Sequence, residues 1–368
     1  MRVLKRIAWW GGGALALAFL AFLVAYFLSS NDCDERKTAA AADRMKAIVY
    51  CDYGAPDVLK LEDIEKPAPG DDQLLVKVRA TSVNPLDWHY MRGTPYFMRL
   101  VGAGLRKPKV RRLGVDFAGT VEAVGKNVQR FRPGDEVFGG RTGAFADYVL
   151  VFQDRAVARK PANVTFEQAA SVPIAAITAL QALRDKGKVG PGQKILVNGA
   201  SGGVGTFAVQ IAKALGAEVT GVCSTRNVEM VRSLGADRVI DYTKEDFTKG
   251  AERYDVIVDN VGNHSLLETL HVVNPKGTYV MVGGPAGRWI DPIPRALNAF
   301  LLSKFVSQNI AFIFAKLNQA DLTFLGDLMQ SGKVKPAIDR QYGLSQLPEA
   351  IGYLETGHAR GKVVVTVQ

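Results

Sequence analysis

Residues Asn198 to Gly205 read Asn-Gly-Ala-Ser-Gly-Gly-Val-Gly, a run suited to holding an anion. Gly202 and Gly203 let backbone approach a pyrophosphate without a Cβ in the way, and Gly205 allows a helix to pack closely on a strand. The free N–H groups of a first helical turn would then face the phosphates. The pattern is A-x-G-x-x-G, so Ala200 stands where the usual fingerprint has its first glycine. Further on, Cys223-Ser224-Thr225-Arg226-Asn227 contains no acid to accept from the 2′-OH of NAD. Hydroxyls and Arg226 suit a 2′-phosphate instead, so NADPH is the expected cofactor. His89, in Asp87-Trp88-His89-Tyr90, has the chemistry of a proton donor, although a packed or surface histidine is the preferred reading.

The elements around the glycine run are those such a site needs. Lys194–Val197 reads as a buried strand. After the turn, Val204, Phe207, Ala208, Ile211, Ala212 and Leu215 recur at helical spacing, closed by Gly216. Strand-like runs follow at Val219–Val222, Arg238–Ile240, Val256–Val258 and Tyr279–Val282. This alternation predicts an α/β, doubly wound parallel sheet of the Rossmann type. Earlier, Ala47–Tyr50, Leu74–Val78 and Gly119–Val124 are short β-rich runs between Gly/Pro turns, which predicts a small barrel-like domain.

The 368 residues allow about two domains with an appendage. A hydrophobic share of 48% and a charged share of 22% exclude bulk disorder. The net charge of +10 is spread along the chain without a nucleic-acid motif, so no nucleic-acid partner is expected. Cys33, Cys51 and Cys223 are odd in number and widely spaced, which argues against a disulfide framework and for a reducing compartment.

Ile7 to Leu28 contains no charge, and a helix of that length reaches about 30 Å, one hydrocarbon core. A retained single-pass membrane anchor over 1–28 is expected, followed by a polar linker over 29–45. Cations flank the span on both sides, so the cytoplasmic placement of the remainder rests on the need for a nicotinamide cofactor. Arg99–Arg112 mixes apolar residues with six cations and reads as a solvated loop, with a membrane-facing or acidic-substrate patch as the alternative. Arg295–Phe314 is apolar and reads as a helix and the sheet's last strand, with an apolar face suited to a lipophilic substrate.

These pieces together resemble the medium-chain dehydrogenase/reductase superfamily, in its quinone-oxidoreductase-like branch. The resemblance rests on Val189–Tyr242, Ser82-Val83-Asn84-Pro85-Leu86-Asp87, Arg132–Gly139, Ser171-Val172-Pro173 and Gly357–Val364. The last segment is similar to reticulon-interacting mitochondrial oxidoreductases. The resemblance implies a GroES-like catalytic domain over 46–166, a Rossmann domain over 167–318, and a returning segment, 319–368, that completes the first. It also implies cofactor contacts at Ser201, Gly203 and Val204 for the phosphates and at Ser224 and Tyr242 near the ribose phosphate. Asn260, Gly283, His358, Ala359 and Arg360 are expected on the same surface. Asn84 is expected in the cleft, orienting nicotinamide or a substrate carbonyl, and Tyr96 is a second catalytic candidate.

Zinc-dependent members carry a Cys and a His-Glu pair where this chain has Asn84 and Val115-Asp116, and the four-Cys lobe is missing, so no metal is expected. The expected reaction is zinc-independent, NADPH-dependent reduction of a lipophilic quinone or conjugated carbonyl. A zinc-free alcohol dehydrogenase and a membrane-tethered NADPH-binding scaffold are the alternatives. The oligomeric state is left open, a homodimer being compatible with the sequence.

Overall fold

Apolar alternation builds the first lobe from strands. In the computed structural model, the described residues are 44–284, 287, 289–290 and 293–367, together with Leu20, Ala21, Leu23 and Val24. β1 (Arg44–Val49) and β2 (Lys60–Glu65) form an antiparallel pair. β3 (Gln73–Val83) is buried along most of its length, as a strand covered on both faces must be. It ends at Asn84, which begins helix α1 (Pro85–Arg92). Pro85 costs nothing there because its missing N–H would be unpaired anyway. The Asp87 carboxylate accepts from the Asn84 N–H at 2.8 Å and ties off that end. β4 (Asp116–Val124), β5 (Glu136–Gly140), β6 (Tyr148–Phe152) and β7 (Val157–Arg159) follow.

The second lobe is α/β. It runs β8 (Lys194–Asn198), α2 (Gly203–Ala214), β9 (Glu218–Cys223), α3 (Val228–Ser233), β10 (Arg238–Asp241), β11 (Tyr254–Asp259), β12 (Val273–Met281), α4 (Ile293–Leu302) and β13 (Asn309–Phe312). All neighbouring strands are parallel, in the order β10-β9-β8-β11-β12-β13. The order reverses at β8, and in such sheets a ligand sits beyond the carboxyl ends of the strands at that point.

The chain then returns through β14 (Ile338–Gly343), α5 (Leu347–Glu355) and β15 (Lys362–Thr366). β15 pairs antiparallel with β3, Val363 opposite Val83, inside a seven-stranded sheet ordered β14-β15-β3-β4-β5-β7 with β6 also on β3. Val363, Val364 and Val365 are fully buried, each adding roughly 1.5–3 kcal/mol of apolar burial. Both ends of the described chain thus build the first lobe around Phe117, Phe145 and Val78, while Ile195, Val197, Phe207 and Val258 help to fill the core beside the parallel sheet. The α/β Rossmann and GroES-like reading holds.

Two expectations are corrected. Among the described residues, no helix is long and apolar enough to cross a membrane. A span needs about 20 helical residues, and only Leu20, Ala21, Leu23 and Val24 of the proposed segment are described. The rest of 7–28 and the linker up to residue 43 lie outside the described residues, and the single-pass membrane placement is withdrawn. Cys51 is disulfide-bonded, which the cysteine spacing did not suggest; Cys223 is a free, buried thiol.

Candidate active site

The chain leaves β8 through Gly199, whose φ of 76° is in the left-handed region that favours glycine. The tight turn assigned to Ala200 is therefore made one residue earlier. Ala200 is buried and its N–H donates to the Val222 carbonyl at 2.9 Å, locking the turn onto β9. A Cβ on Gly205 would stand 2.1 Å from the Gly199 oxygen and 2.8 Å from the Ala200 Cα, so α2 can lie against the turn only with glycine there. Gly202 differs. A Cβ there meets nothing nearer than the Gly199 oxygen at 3.5 Å, so protein packing does not demand glycine. The half-buried Ser201, Gly202, Gly203 and Val204 frame an open N-terminus of a twelve-residue helix, the geometry that receives phosphate.

The remaining cofactor candidates converge on this turn. Asn227, buried at the start of α3, donates from Nδ2 to Ser201 Oγ at 3.0 Å and Ser224 Oγ at 3.2 Å. Its Oδ1 is buried without a partner among the described residues, and so is Oδ1 of Asn260, whose Nδ2 donates to the Asn198 carbonyl at 2.9 Å. Two orphaned acceptors at the carboxyl ends of these strands fit a ligand that brings hydroxyl or amide donors. Gly283 packs on Asn260, whose oxygen would lie 2.2 Å from an added Cβ. Tyr242 is exposed, with its N–H on the Cys223 carbonyl. Thr225 and Arg226 are exposed; Thr225 Oγ1 donates to Asp241 Oδ2 at 2.6 Å, and Arg226 donates to the His358 carbonyl at 3.0 Å. The Thr225 hydroxyl is the main reason the Asp241 carboxyl is lowered to about 2.

The returning segment closes the other side. Gly361 bridges to Gly202, Ala359 packs on the first-lobe core, and the Arg360 N–H donates to Asp339. Next to them, Lys362 is 3% exposed, and its Nζ donates to Asn84 Oδ1 at 2.6 Å, the Val83 carbonyl at 3.3 Å and Asp116 Oδ2 at 3.4 Å. Its stem passes Gly203, with Cδ 3.3 Å from an added Cβ there. Asn84 is buried too, and its Nδ2 donates to Asp116 at 2.9 Å. Burial pulls the Lys362 ammonium below its usual range against the attraction of Asp116. Burial raises the neighbouring Asp87 carboxyl to about 7, opposed by the N–H groups of Asn84 and Gly114.

At the other end of α1, a cavity of about 370 Å³ opens on the first lobe, lined by Trp88, His89, Tyr96, Arg99 and Glu355 among others, with Gly287 reaching it from beyond β12. Tyr96 is partly exposed, edge-on to Trp289 at 5.1 Å and beneath the Arg99 guanidinium. The two catalytic candidates therefore lie apart in role: Tyr96 faces a cavity, whereas Asn84 is held inside a polar network.

This architecture and site can be set against known proteins. Two family models match: the alcohol dehydrogenase GroES-like domain over residues 70–162 and zinc-binding dehydrogenase over residues 234–365. The chain is 35% identical to the chloroplastic NADPH-dependent alkenal/one oxidoreductase of Arabidopsis thaliana, over 89% of this chain and 81% of that one. It is 34% identical to the mitochondrial NAD(P)H oxidoreductase RTN4IP1 of Mus musculus, over 90% and 91%. The chain belongs to the medium-chain dehydrogenase/reductase superfamily. The structure of a quinone oxidoreductase from Coxiella burnetii superposes with a TM-score of 0.78 at 33% identity, covering 88% of this chain and all (100%) of that one. This medium-chain reductase is quinone-oxidoreductase-like and works as an NAD(P)H-dependent oxidoreductase.

One matching family description names zinc, and the residues present do not fit that metal. At Asn84 and Asp116 the donors are an amide and a carboxylate already bound to an ammonium, not the thiolate and imidazole set zinc selects. Among the described residues no group of three or more His, Cys, Asp or Glu is placed to hold a metal ion.

Sequence reasoning missed Asn227, Asp241 and Lys362. Asn227 ends the run already singled out for phosphate. Asp241 is opposite Cys223 in the β9–β10 register, a tertiary pairing that no local pattern shows. Lys362 sits in a Gly-Lys-Val-Val segment that resembled family members without indicating where the ammonium points.

Proposed function

We propose that this reductase uses NADPH to reduce a quinone or conjugated carbonyl by hydride transfer without a metal. The observation that carries the reading is the open N-terminus of α2 with orphaned Asn227 Oδ1 and Asn260 Oδ1 beside it. Ser201, Gly203, Val204 and Gly205 hold the pyrophosphate through backbone N–H groups, while the N–H groups of Ala200 and Gly202 are spent on Val222 and Gly199 and shape the turn. Ser224, Arg226 and Tyr242 take the 2′-phosphate, with Thr225 beside them holding the Asp241 carboxylate. Arg226 spends one bond on His358 and is exposed, so it retains donors for an anion. Asp241 stands nearby, but Thr225 and Thr243 already donate to its carboxylate. Asn260 and Gly283 lie on the nicotinamide side, and His358, Ala359 and Arg360 border the phosphates from the returning segment.

A bound reduced nicotinamide supplies hydride. The protein's own work is to exclude water with the returning segment, to fix the cofactor through the turn, and to hold a planar acceptor in the cavity beside Trp88 and Tyr96. The substrate class is supported by the names of the relatives above. Steady-state oxidation of NADPH with a panel of quinones and 2-alkenals tests the reading. Turnover of at least one class, with NADPH preferred to NADH, is expected; tight cofactor binding with no turnover of any acceptor would leave a cofactor-binding scaffold.

A further inference from the structure

We propose that His89 is the proton donor of the acceptor cavity, passing a proton from solvent to the acceptor oxygen as hydride reaches the acceptor carbon. The inference rests on the reductase reading above and assigns it a residue. His89 lines the cavity together with Gly287, which lies just beyond Gly283 at the proposed nicotinamide side. The cavity is therefore walled by α1, by Tyr53 and Glu355 of the same lobe, and by Gly287.

The ring is fixed in a way that suits proton transfer. Its Nδ1 lies 2.8 Å from the Thr94 carbonyl. A carbonyl only accepts, so Nδ1 carries the hydrogen in both the neutral and the charged ring. The Trp88 ring stacks on it with centroids 3.6 Å apart and 29° between planes. Nε2 has no hydrogen-bond partner among the described residues, so it is the atom that takes up and returns a proton.

Other groups around the cavity are occupied. Tyr53 Oη meets the carbonyls of Ala103 and Gly104 at 2.8 and 2.7 Å. Arg92 is bound bidentately by Glu355, at 2.6 and 2.9 Å. Arg99 donates to the carbonyls of Gly93 and Arg92 and lies over the Tyr53 and Tyr96 rings. Tyr96 is the competing donor, because no hydrogen bond to its hydroxyl occurs among the described residues.

The charges facing His89 are Glu355 from α5, Arg92 on its own helix and Arg99 from the following turn, with Tyr53 and Tyr96 as titratable neighbours. Burial lowers the His89 pKa from the usual 6.5, opposed by the Thr94 carbonyl and Glu355. The reactive form is the imidazolium, so kcat/KM should be level at low pH and fall as pH rises through a midpoint below that usual value.

The step balances. Hydride leaves the nicotinamide C4–H bond and bonds to the electrophilic carbon, and the displaced π electrons settle on oxygen as enolate or quinolate. The Nε2–H bond then breaks, an O–H bond forms, and neutral His89 is reprotonated by water at the cavity mouth. The acceptor is reduced by two electrons and the nicotinamide is oxidised by two.

The test uses the full chain with NADPH, 1,4-benzoquinone and a short 2-alkenal. His89→Phe keeps a ring on Trp88 and removes the nitrogen; His89→Gln is the second variant should the first fail to fold. We expect kcat to fall about 100-fold, the scale of a lost general acid, and the acidic inflection in kcat/KM to vanish. NADPH affinity, read by fluorescence titration, should stay within about twofold, and Tyr96→Phe should keep the inflection. A His89 variant that folds, keeps the inflection and stays within about threefold in kcat overturns the proposal, as does an inflection that disappears in Tyr96→Phe. No turnover of either acceptor by the parent protein sinks the reductase reading and this proposal together; turnover independent of His89 sinks this proposal alone.

Discussion

Replacing Lys362 by Met removes the one cation in a buried cluster with Asp116 and Asp87, which are 0% and 2% exposed. Truncating one partner of a buried pair costs about 3–5 kcal/mol, because the other charge is left uncompensated. Here Asp116 keeps Ser82 Oγ at 2.7 Å and Asn84 Nδ2 and the Ile174 N–H at 2.9 Å. Those three donors place the loss near the lower end, about 3 kcal/mol. Asp116→Asn in the same background removes the stranded charge, so the double variant should recover about 2 kcal/mol, a coupling typical of contacting residues. The assay is equilibrium denaturation of the parent, both single variants and the double variant, with cofactor affinity measured alongside. Since the Lys362 stem packs at Gly203, the single Met variant should also weaken NADPH binding. Losses below about 0.5 kcal/mol, or strictly additive effects, would refute the view of Lys362 as the counter-charge that holds this cluster.

Other substitutions separate cofactor contacts from packing. Gly202→Ala should leave thermal stability unchanged, since its Cβ meets only ordinary contact at 3.5 Å, yet weaken NADPH binding at least about tenfold, or 1.4 kcal/mol; equal loss of stability would remove the ligand explanation. Gly205→Ala should destabilise the fold by about 1–3 kcal/mol because backbone lies 2.1 Å from the new carbon, and an unchanged melting temperature would contradict this. Arg226→Ala should narrow a preference for NADPH over NADH of at least about tenfold, measured by titration; equal parent affinities would count against the 2′-phosphate site. Asp87 has a folded-state pKa of about 7, above its ordinary value, so the folded state binds the extra proton. Stability should therefore fall as pH rises from about 4 to 7, and Asp87→Asn should flatten that slope in denaturation at several pH values; an unaltered slope would assign it elsewhere.

Most of the fold was legible because its signals are local. The strand at Lys194, the glycine run and the helical spacing from Val204 to Leu215 lie within one stretch of chain, and β8 and α2 occupy it. The same holds for Val219–Val222 and Val256–Val258, now parts of β9 and β11. The site was legible in part. The 200–205, 224–226 and 358–360 groups were named from sequence, and the Gly202–Gly361 bridge and the Arg226–His358 bond bring them together. The membrane anchor was the misreading: hydropathy over Ile7–Leu28 measured apolar content alone, and no described helix has the length to cross a bilayer.

What stayed hidden depends on register across long separations. Lys362 and Asn84 are 278 positions apart, and only the antiparallel pairing of Val363 with Val83 puts them side by side. In sequence, a lysine before three valines reads as the solvated start of a strand. In the fold its three hydrogen bonds all go to Val83, Asn84 and Asp116, and an ammonium has only three donors. Lys362 thus has none left for a substrate, and Asn84, whose amide oxygen and nitrogen are both engaged, serves to position β3, β15 and the cofactor turn. Chemistry on an acceptor must then come from groups with unspent hydrogen-bonding capacity. Along α1 the polar network lies at the Asn84 end, and the cavity lies where Trp88 and His89 emerge. The helix whose cap, Asn84, anchors the network therefore presents, about one and a half turns further on, the imidazole best placed to finish the reduction.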